Sequence, residues 1–312
     1  MSKILLTKKL DQELLDLLGA QARTVTVPDH QDDLFDRELA DTQALLLSTA
    51  YQMTRERIMA APHLKVISRT GVGVDNIDLK AAAERGVLVL NTPTANSETV
   101  AEHTAALILA LVKQLAWYDR AIRQGNFAIR RRNLGHDLDG MTLGLLGCGR
   151  IGRLVADKMR LAFGLSVLAY DPYPADHPGI TFVDSPDALC RQSDIVSLHM
   201  PLLPETRLIM NRERLALLRP GSYLVNTARG GLIDETALAE QLQDGRLAGA
   251  ALDVFADEPL PSDHPLIMCQ NTILTPHAAA LTTECSARVA RQAVEGIADY
   301  LAGRKPAHIV RL

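Results

Sequence analysis

The chain has 312 residues, of which 47% are hydrophobic and 22% are charged, and its formal net charge is −4. This balance is ordinary for a globular protein, and the basic residues are scattered apart from one short run at 130–132, which argues against a nucleic-acid partner. The sequence shows no apolar run long enough to span a bilayer and no signal peptide, so we expect a cytoplasmic protein with no membrane partner. The cysteines follow no zinc or redox spacing, and no metal site is predicted.

The first part of the chain alternates short apolar runs with longer amphipathic stretches. The runs of strand length are residues 3–6, 24–27, 44–48, 65–68 and 87–90. Continuous apolar strands that alternate with helices are typical of a parallel sheet buried on both faces. The pattern therefore predicts an α/β domain.

One long helix is predicted next, with Ser97 as its N-cap and Gly125 just past its end. A second series of strand-like runs follows, at 142–147, 165–171, 194–200, 222–227, 249–254 and 272–276. A final helix is predicted over 281–302. Two such series indicate two doubly wound, Rossmann-like parallel-sheet domains. If the final helix returns to the first domain, that domain is discontinuous.

The segment GLLGCGRIG, residues 144–152, lies between a predicted strand and a predicted helix. In a dinucleotide fingerprint, Gly147 would permit the tight turn, Gly149 the approach of the pyrophosphate, and Gly152 the packing of helix on strand. Asp171 ends the next predicted strand, where a carboxylate can bind the ribose hydroxyls and repel a 2′-phosphate. These residues favour NAD over NADP, with a purely structural glycine turn as the alternative.

Three polar side chains follow successive strands of the second series. Arg229, Glu258 and His277 come after the runs 222–227, 249–254 and 272–276, respectively. Each has an ordinary explanation by itself, as a surface arginine, a solvated glutamate or a structural histidine. Because ligands of doubly wound sheets bind at the carboxyl ends of the strands, their joint placement predicts that they converge over one crevice.

The chain resembles the D-isomer-specific 2-hydroxyacid dehydrogenases in motifs that cover nearly its whole length. The matching segments are TGVGVDNIDL (70–79), NTPTANSETVAEH (91–103), LGLLGCGRIG (143–152), HMPLLPETRLIM (199–210), LVNTARGGLIDE (224–235), ALDVFADEP (251–259) and TPHAAALTTEC (275–285). The resemblance implies an NAD-dependent enzyme that interconverts a small D-2-hydroxy acid and its 2-keto acid. It also implies a substrate-binding domain of residues 1–97 and 285–312, an NAD-binding domain of residues 98–284, and a homodimer.

The resemblance implies roles for individual side chains as well. Arg229 would hold the substrate carboxylate, His277 would exchange a proton with the substrate oxygen, and Glu258 would orient the imidazole. The backbone N–H groups of Val72 and Gly73 would complete carboxylate binding. The implied cofactor contacts lie in the glycine turn and at strand ends: Gly147, Gly149, Arg150, Ile151, Gly152, Asp171, Thr206, Thr227, Ala228 and Asp253, the last accepting a hydrogen bond from the nicotinamide carboxamide.

The sequence leaves two classes of substrate open, unphosphorylated and phosphorylated acids. Ser48 stands where phosphoglycerate dehydrogenases often carry an arginine, which favours an unphosphorylated acid such as hydroxypyruvate or glyoxylate. The run from Arg130 to Arg132 could bind a phosphate instead, so a D-3-phosphoglycerate dehydrogenase without its regulatory domain is the alternative. A non-catalytic NAD sensor that resembles the C-terminal-binding-protein corepressors is a more remote one.

Overall fold

The computed structural model describes residues 2–19, 22–131 and 134–310. The chain divides into two compact units. The first unit comprises Met1–Asn96 and Leu281–Leu312, and the second unit comprises Ser97–Ala280. Each unit is built on a parallel β-sheet with helices on its faces. The predicted α/β fold with two doubly wound sheets is confirmed.

The sheet of the first unit has the strand order β2-β1-β3-β4-β5, with all neighbours parallel. Its strands are β1 (Ser2–Leu6), β2 (Ala22–Thr26), β3 (Ala44–Leu47), β4 (Val66–Arg69) and β5 (Leu88–Leu90). The helices between them are α1 (Gln12–Leu17), α2 (Asp32–Leu39), α3 (Arg55–Met59) and α4 (Leu79–Glu84). Asp11, Thr54 and Asp78 begin α1, α3 and α4, because each side chain accepts the backbone N–H three residues ahead.

The central strand β3 explains why this sheet is buried on both faces. Leu45 and Leu47 point to one face, where they pack in a cluster with Phe35. Leu46 points to the opposite face, where it packs with Ile4. Since side chains alternate across a strand, the continuous apolar run supplies both cores.

The sheet of the second unit has the order β12-β11-β10-β9-β6-β7-β8, again with parallel neighbours. Its strands are β6 (Thr142–Leu146), β7 (Ser166–Tyr170), β8 (Ile180–Phe182), β9 (Ile195–Leu198), β10 (Tyr223–Asn226), β11 (Gly249–Leu252) and β12 (Thr272–Leu274). Its helices are α5 (Ser97–Val112), α6 (Leu115–Arg123), α7 (Arg150–Phe163), α8 (Pro186–Gln192), α9 (Arg212–Leu215), α10 (Glu235–Gln243) and α11 (Pro265–Met268). Short 3-10 segments cover Phe127–Arg131 and Gly230–Leu232. The strand order reverses between β6 and β9, which is where doubly wound sheets bind ligands.

The last helix, α12 (Thr283–Leu301), belongs to the first unit. Val294 and Ile297 pack in the same cluster as Ile4 and Leu46. In addition, the Ser68 hydroxyl on β4 donates to the carbonyl of Ala293 on α12, at 2.8 Å. The helix therefore covers one face of the first sheet.

The prediction of one helix from Ser97 to Gly125 is wrong. The structure has two helices there, and Gln114 between them has a φ of 56°, which is a left-handed conformation. Ser97 is the first residue of α5 and not the residue before it. The sequence at the break contains neither glycine nor proline, so no local signal marked it.

The same region is relevant to membrane insertion. Among the described residues, no single helix is long and apolar enough to cross a membrane. Of the described helices, only α5 and α6 taken together have the length and apolar composition of a membrane span, and the chain bends by 61° between these two helices. Many α5 side chains, including Leu107, Ile108 and Val112, are buried in the core of the second unit.

Candidate active site

The glycine-rich turn connects β6 to α7 in the second unit. Gly147 has a φ of 94°, and a Cβ there would lie 2.7 Å from the carbonyl carbon of His199. A Cβ at Gly152 would lie 2.5 Å from the carbonyl oxygen of Gly147. Glycine is therefore required at both positions, at Gly147 by the close approach of the backbone that follows β9 and at Gly152 by the backbone of the turn itself.

Gly149 differs from both neighbours because a Cβ at this position would meet no atom within 4 Å. It is the N-cap of α7, and Arg150 and Ile151 form the first turn of that helix. The N–H groups of a helix N-terminus and the positive end of the helix dipole attract anions such as a pyrophosphate. The open space in front of this terminus fits the dinucleotide that the fingerprint predicts.

Asp171 follows β7 and borders the same turn. One carboxylate oxygen accepts the N–H of Cys148 at 2.8 Å, and the other accepts the N–H of Tyr173 at 2.9 Å. The Arg153 side chain donates to the carbonyl of Cys148 at 3.0 Å. The acid is thus held against the glycine-rich turn, beside the space that Gly149 leaves open.

His277 and Glu258 form a hydrogen-bonded pair at the carboxyl edge of the sheet. His277 Nδ1 lies 2.8 Å from Glu258 Oε2, and the two side chains are 42% and 37% exposed. The other oxygen, Glu258 Oε1, accepts the N–H of Phe255 at 3.0 Å. Because an ionised carboxylate can only accept, Nδ1 carries a proton and Nε2 is the nitrogen free for a substrate.

The pair also sets the charge of the glutamate. Partial burial acts to raise the pKa of the Glu258 carboxyl, but the hydrogen bonds from His277 and Phe255 and the charge of Arg229 outweigh it and lower that pKa. Glu258 is therefore ionised at neutral pH and favours a protonated imidazole beside it.

The backbone at His277 is unusual, with a φ of 53°. A left-handed conformation is uncommon for a residue with a side chain and is maintained only by its surroundings. The N–H of His277 donates to the carbonyl of Asp253 at 2.7 Å and to that of Thr275 at 3.0 Å. The histidine is thus fixed by its backbone as well as by Glu258.

The Asp253 side chain holds this segment in place. It is fully buried, and its carboxylate accepts hydrogen bonds from the Thr275 hydroxyl, from Ala278 N–H and from Ala279 N–H, the last two at 2.8 Å. His103 Nε2 lies 3.6 Å from the same carboxylate. The sequence indicated a contact between Asp253 and the nicotinamide and did not indicate this role in holding the histidine segment.

Arg229 lies in the turn that follows β10, and β10 is the strand next to β11. The buried Asn226 side chain accepts the N–H of Ala228 at 2.9 Å and donates to the carbonyl of Arg229 at 2.8 Å, so it fixes the turn after the strand. A Cβ on Gly230 would lie 1.8 Å from the carbonyl carbon of Phe255. The absence of a side chain at Gly230 therefore brings the arginine turn and the glutamate loop together. Asn226 and Gly230 were not predicted from the sequence, although the double glycine of ARGG was a signal for close approach.

The remaining candidate residues lie in several places. Thr227 is buried, and its hydroxyl is 2.8 Å from that of Thr104. The Thr206 hydroxyl closes its own turn, because it donates to the carbonyl of Pro201 and accepts the N–H of Leu203, both at 2.7 Å. Val72 and Gly73 follow β4 and belong to the first unit.

Comparison with known protein families identifies the family of this chain. The family model described as "D-isomer specific 2-hydroxyacid dehydrogenase, NAD binding domain" matches residues 105–279. The chain belongs to this family. The predicted family and the predicted cofactor, NAD, are confirmed, and the matched residues contain the glycine-rich turn and all three strand ends.

Individual relatives cover the chain more completely. A D-3-phosphoglycerate dehydrogenase of Methanocaldococcus jannaschii is 39% identical over 316 residues, with 100% of this chain and 60% of that protein aligned. The chain thus spans less than two thirds of that relative. Among solved structures, the TT0316 protein of Thermus thermophilus has a TM-score of 0.91 at 37% identity, with 99% of this chain and 100% of that chain covered. A glyoxylate reductase from Paecilomyes thermophila has a TM-score of 0.90 at 30% identity, with coverages of 99% and 98%.

Proposed function

We propose that this chain is an NAD-dependent dehydrogenase that interconverts a small D-2-hydroxy acid and its 2-keto acid. The observation that carries the proposal is the His277–Glu258 pair, which lies at the same sheet edge as the glycine-rich turn and Arg229. An imidazole paired with an ionised carboxylate is the arrangement expected of a general acid and base.

Each side chain has a role in the proposal. His277 Nε2 donates a proton to the carbonyl oxygen during reduction and accepts one from the hydroxyl during oxidation. Arg229 binds the substrate carboxylate through its planar guanidinium. The α7 N-terminus, Gly149 and Asp171 hold the dinucleotide. When bound, NAD supplies the acceptor or donor of the hydride.

The substrate that we propose is unphosphorylated and similar to hydroxypyruvate or glyoxylate. Ser48 is an uncharged residue after β3; its N–H donates to the Thr7 hydroxyl at 2.7 Å, and its own hydroxyl accepts the N–H of Ala50 at 3.3 Å. That position therefore supplies no cation for a phosphate. Arg130 lies over the Phe127 ring at 5.6 Å, while Arg132 lies outside the described residues.

D-3-phosphoglycerate is the second candidate substrate. It is favoured by the M. jannaschii relative, which carries that activity in its name and aligns with the whole of this chain. Hydroxypyruvate and 3-phosphohydroxypyruvate differ only by a phosphate group, so a direct comparison of these two keto acids separates the candidates.

The test is NADH oxidation with hydroxypyruvate, glyoxylate, pyruvate and 3-phosphohydroxypyruvate. We expect the highest kcat/KM with an unphosphorylated acid, and a loss of roughly 10²–10⁴ in kcat for His277→Ala with NADH binding retained. His136→Ala, an exposed histidine of the same unit, is the matched control. Preference for the phosphorylated acid would select the second candidate. NADH binding without turnover of any acid would contradict both and support an NAD sensor.

We also propose that the protein is a cytoplasmic homodimer. Its cysteines are Cys148, Cys190, Cys269 and Cys285, which are all free and buried; this suits a reducing compartment. Large apolar side chains are exposed on the segment after α5, at Leu115, Ile122, Phe127 and Leu134. A second copy of the chain would cover them.

A further inference from the structure

A second pair of titratable side chains, Glu235 and His264, lies near the His277–Glu258 pair but is separate from it. Glu235 is the first residue of α10 and is only 8% exposed. Its Oε1 atom accepts the N–H of Ala256 at 2.8 Å, and its Oε2 atom lies 3.2 Å from His264 Nε2. A carboxylate near a helix N-terminus is favourable because of the helix dipole. The Glu235 side chain, however, binds the backbone of a different segment, at Ala256.

The loop that Glu235 holds is the one that carries Glu258. Ala256, bonded to Glu235, follows Phe255, whose N–H binds Glu258 Oε1 at 3.0 Å. The same backbone packs on Gly230 with no space for a Cβ. A shift of Ala256 would therefore move both the donor to Glu258 and the support beside Arg229.

His264 is oriented by its own position at a helix end. It is the N-cap of α11, and its Nδ1 accepts the N–H of Leu266 at 3.4 Å. With Nδ1 as acceptor, Nε2 carries the proton and donates to Glu235. Burial raises the pKa of the Glu235 carboxyl above its ordinary value, although the Ala256 N–H and His264 act in the opposite direction.

We propose that Glu235 and His264 are positioning residues for Glu258. The pair anchors the turn at residues 255–258 and so sets the orientation in which Glu258 meets His277. This inference rests on the proposed function, since it assigns the pair a part in the same acid–base chemistry. A rotation of Glu258 away from His277 would weaken the stabilisation of the protonated imidazole.

The experiment compares Glu235→Gln, His264→Ser and Glu240→Gln. In Glu235→Gln, the amide has one acceptor oxygen in place of two, so its NH₂ faces either the His264 N–H or the Ala256 N–H and one contact of the pair is lost. In His264→Ser, the hydroxyl can still cap α11 but is too short to reach Glu235. Glu240→Gln is the matched control, because Glu240 is on the same helix and its exposed carboxylate pairs with Arg212.

We expect kcat for keto-acid reduction to fall roughly tenfold or more in Glu235→Gln and His264→Ser, with KM for the keto acid changed less than about twofold. The loss of reduction with rising pH should begin at lower pH in both variants, and the double variant should match the single ones. Glu240→Gln should behave as wild type. Reduced thermal stability with unchanged kcat and pH profile would show a merely structural pair and overturn the proposal.

A readout without turnover separates this proposal from the proposed function. In protein labelled with ¹³C-histidine, the ring resonance of His277 is assigned by its absence in His277→Ala. At a fixed neutral pH, we expect this resonance to shift in Glu235→Gln and His264→Ser but not in Glu240→Gln, because a rotated Glu258 changes the surroundings of the imidazole. Movement of this resonance in variants of a protein that turns over no keto acid would reject the dehydrogenase and keep the positioning role. No movement in either variant would reject the positioning role.

Discussion

At the scale of single residues, the candidate site depends on a glutamate that stays ionised although it is partly buried. Burial acts to raise the Glu258 pKa, but His277, the Phe255 N–H and Arg229 lower it. A carboxyl whose pKa is lowered on folding adds stability above its ordinary pKa, and this contribution is lost as the pH falls through the lowered value. The same contact that stabilises the glutamate anion favours the imidazolium that the proposed reduction would require.

Glu258→Gln should therefore change the pH dependence of the reaction. The amide keeps the size of the side chain but removes the charge that stabilises protonated His277. We expect the fall of reduction activity with rising pH to begin about one pH unit lower or more, measured as kcat/KM for the keto acid between about pH 5 and 9. Glu213→Gln, an exposed glutamate on α9, is the control. An unchanged pH profile would show that the charge of Glu258 does not act on His277.

Asp253→Asn tests whether the Asp253 carboxylate holds in place the segment that carries His277. The asparagine NH₂ would face at least one of the N–H groups of Ala278 and Ala279 that the carboxylate now accepts. We expect the free energy of unfolding in urea to fall by about 1–3 kcal/mol, together with a lower kcat. Asp244→Asn, at the exposed end of α10, should alter neither quantity. Weaker NADH binding at wild-type stability would instead support the predicted contact with the nicotinamide.

Some of these residues could be identified from the sequence and others could not. Arg229, Glu258 and His277 were visible because each follows an apolar run of strand length in one series. The contacts of Asp253 were not visible, since its partners at 275–279 are distant in the chain and are brought close only by the pairing of β11 with β12. The Glu235–His264 pair was missed because its two residues are also distant in the chain and meet only where α10 and α11 begin.

At the scale of elements, the turn from β6 to α7 uses its glycines for different purposes. Gly147 is required by the approach of the His199 backbone and Gly152 by a contact inside the turn, whereas Gly149 leaves an open space before the helix N-terminus. A spacing pattern alone treats the three alike. The structure separates the glycines that build the turn from the one that suits a ligand.

Gly149→Ala should reveal this difference. The added methyl meets no protein atom, so we expect an unchanged thermal midpoint in the absence of cofactor. If the pyrophosphate approaches here, the Kd for NADH should rise roughly tenfold or more, equal to about 1.4 kcal/mol or more. Gly152→Ala is the comparison, because its methyl would contact the Gly147 carbonyl and should destabilise the protein without cofactor. Normal NADH binding by Gly149→Ala would place the pyrophosphate elsewhere.

The strands were better predicted than the helix boundaries. Apolar runs marked β1, β3, β6 and β10 because buried parallel strands need apolar side chains on both faces. The edge strand β8, with no fully buried residue among Ile180–Phe182, lacked that signal and was missed. The break at Gln114 was also missed, since it lies among ordinary helix-forming residues.

At the scale of the whole molecule, strand order decides where the chemistry lies in the second unit. The alternation of strands and helices predicted parallel sheets but could not supply the order of their strands. The reversal lies between β6 and the central strand β9, so the glycine-rich turn after β6 is next to the middle of the sheet, with β10, β11 and β12 on the other side of β9. The turn and the three polar side chains thus share one edge.

Phe127→Glu tests the proposed homodimer. Phe127 is 66% exposed on the apolar segment after α5, so a charge there should oppose burial against a second copy. We expect the dimer Kd from sedimentation equilibrium to rise roughly tenfold or more. Leu161→Glu, which changes a 71% exposed side chain on α7, is the control. A monomeric wild-type protein would contradict the proposal directly.

The position of α12 has a consequence for the order of events during synthesis. A ribosome completes residues 97–280 before it reaches Thr283–Leu301, so the second sheet can close while the first is still incomplete. Until then, the face formed by Ile4, Leu46 and Val66 lacks the helix that covers it. The first unit is therefore completed after the second, and its apolar face stays exposed to water until α12 has been made.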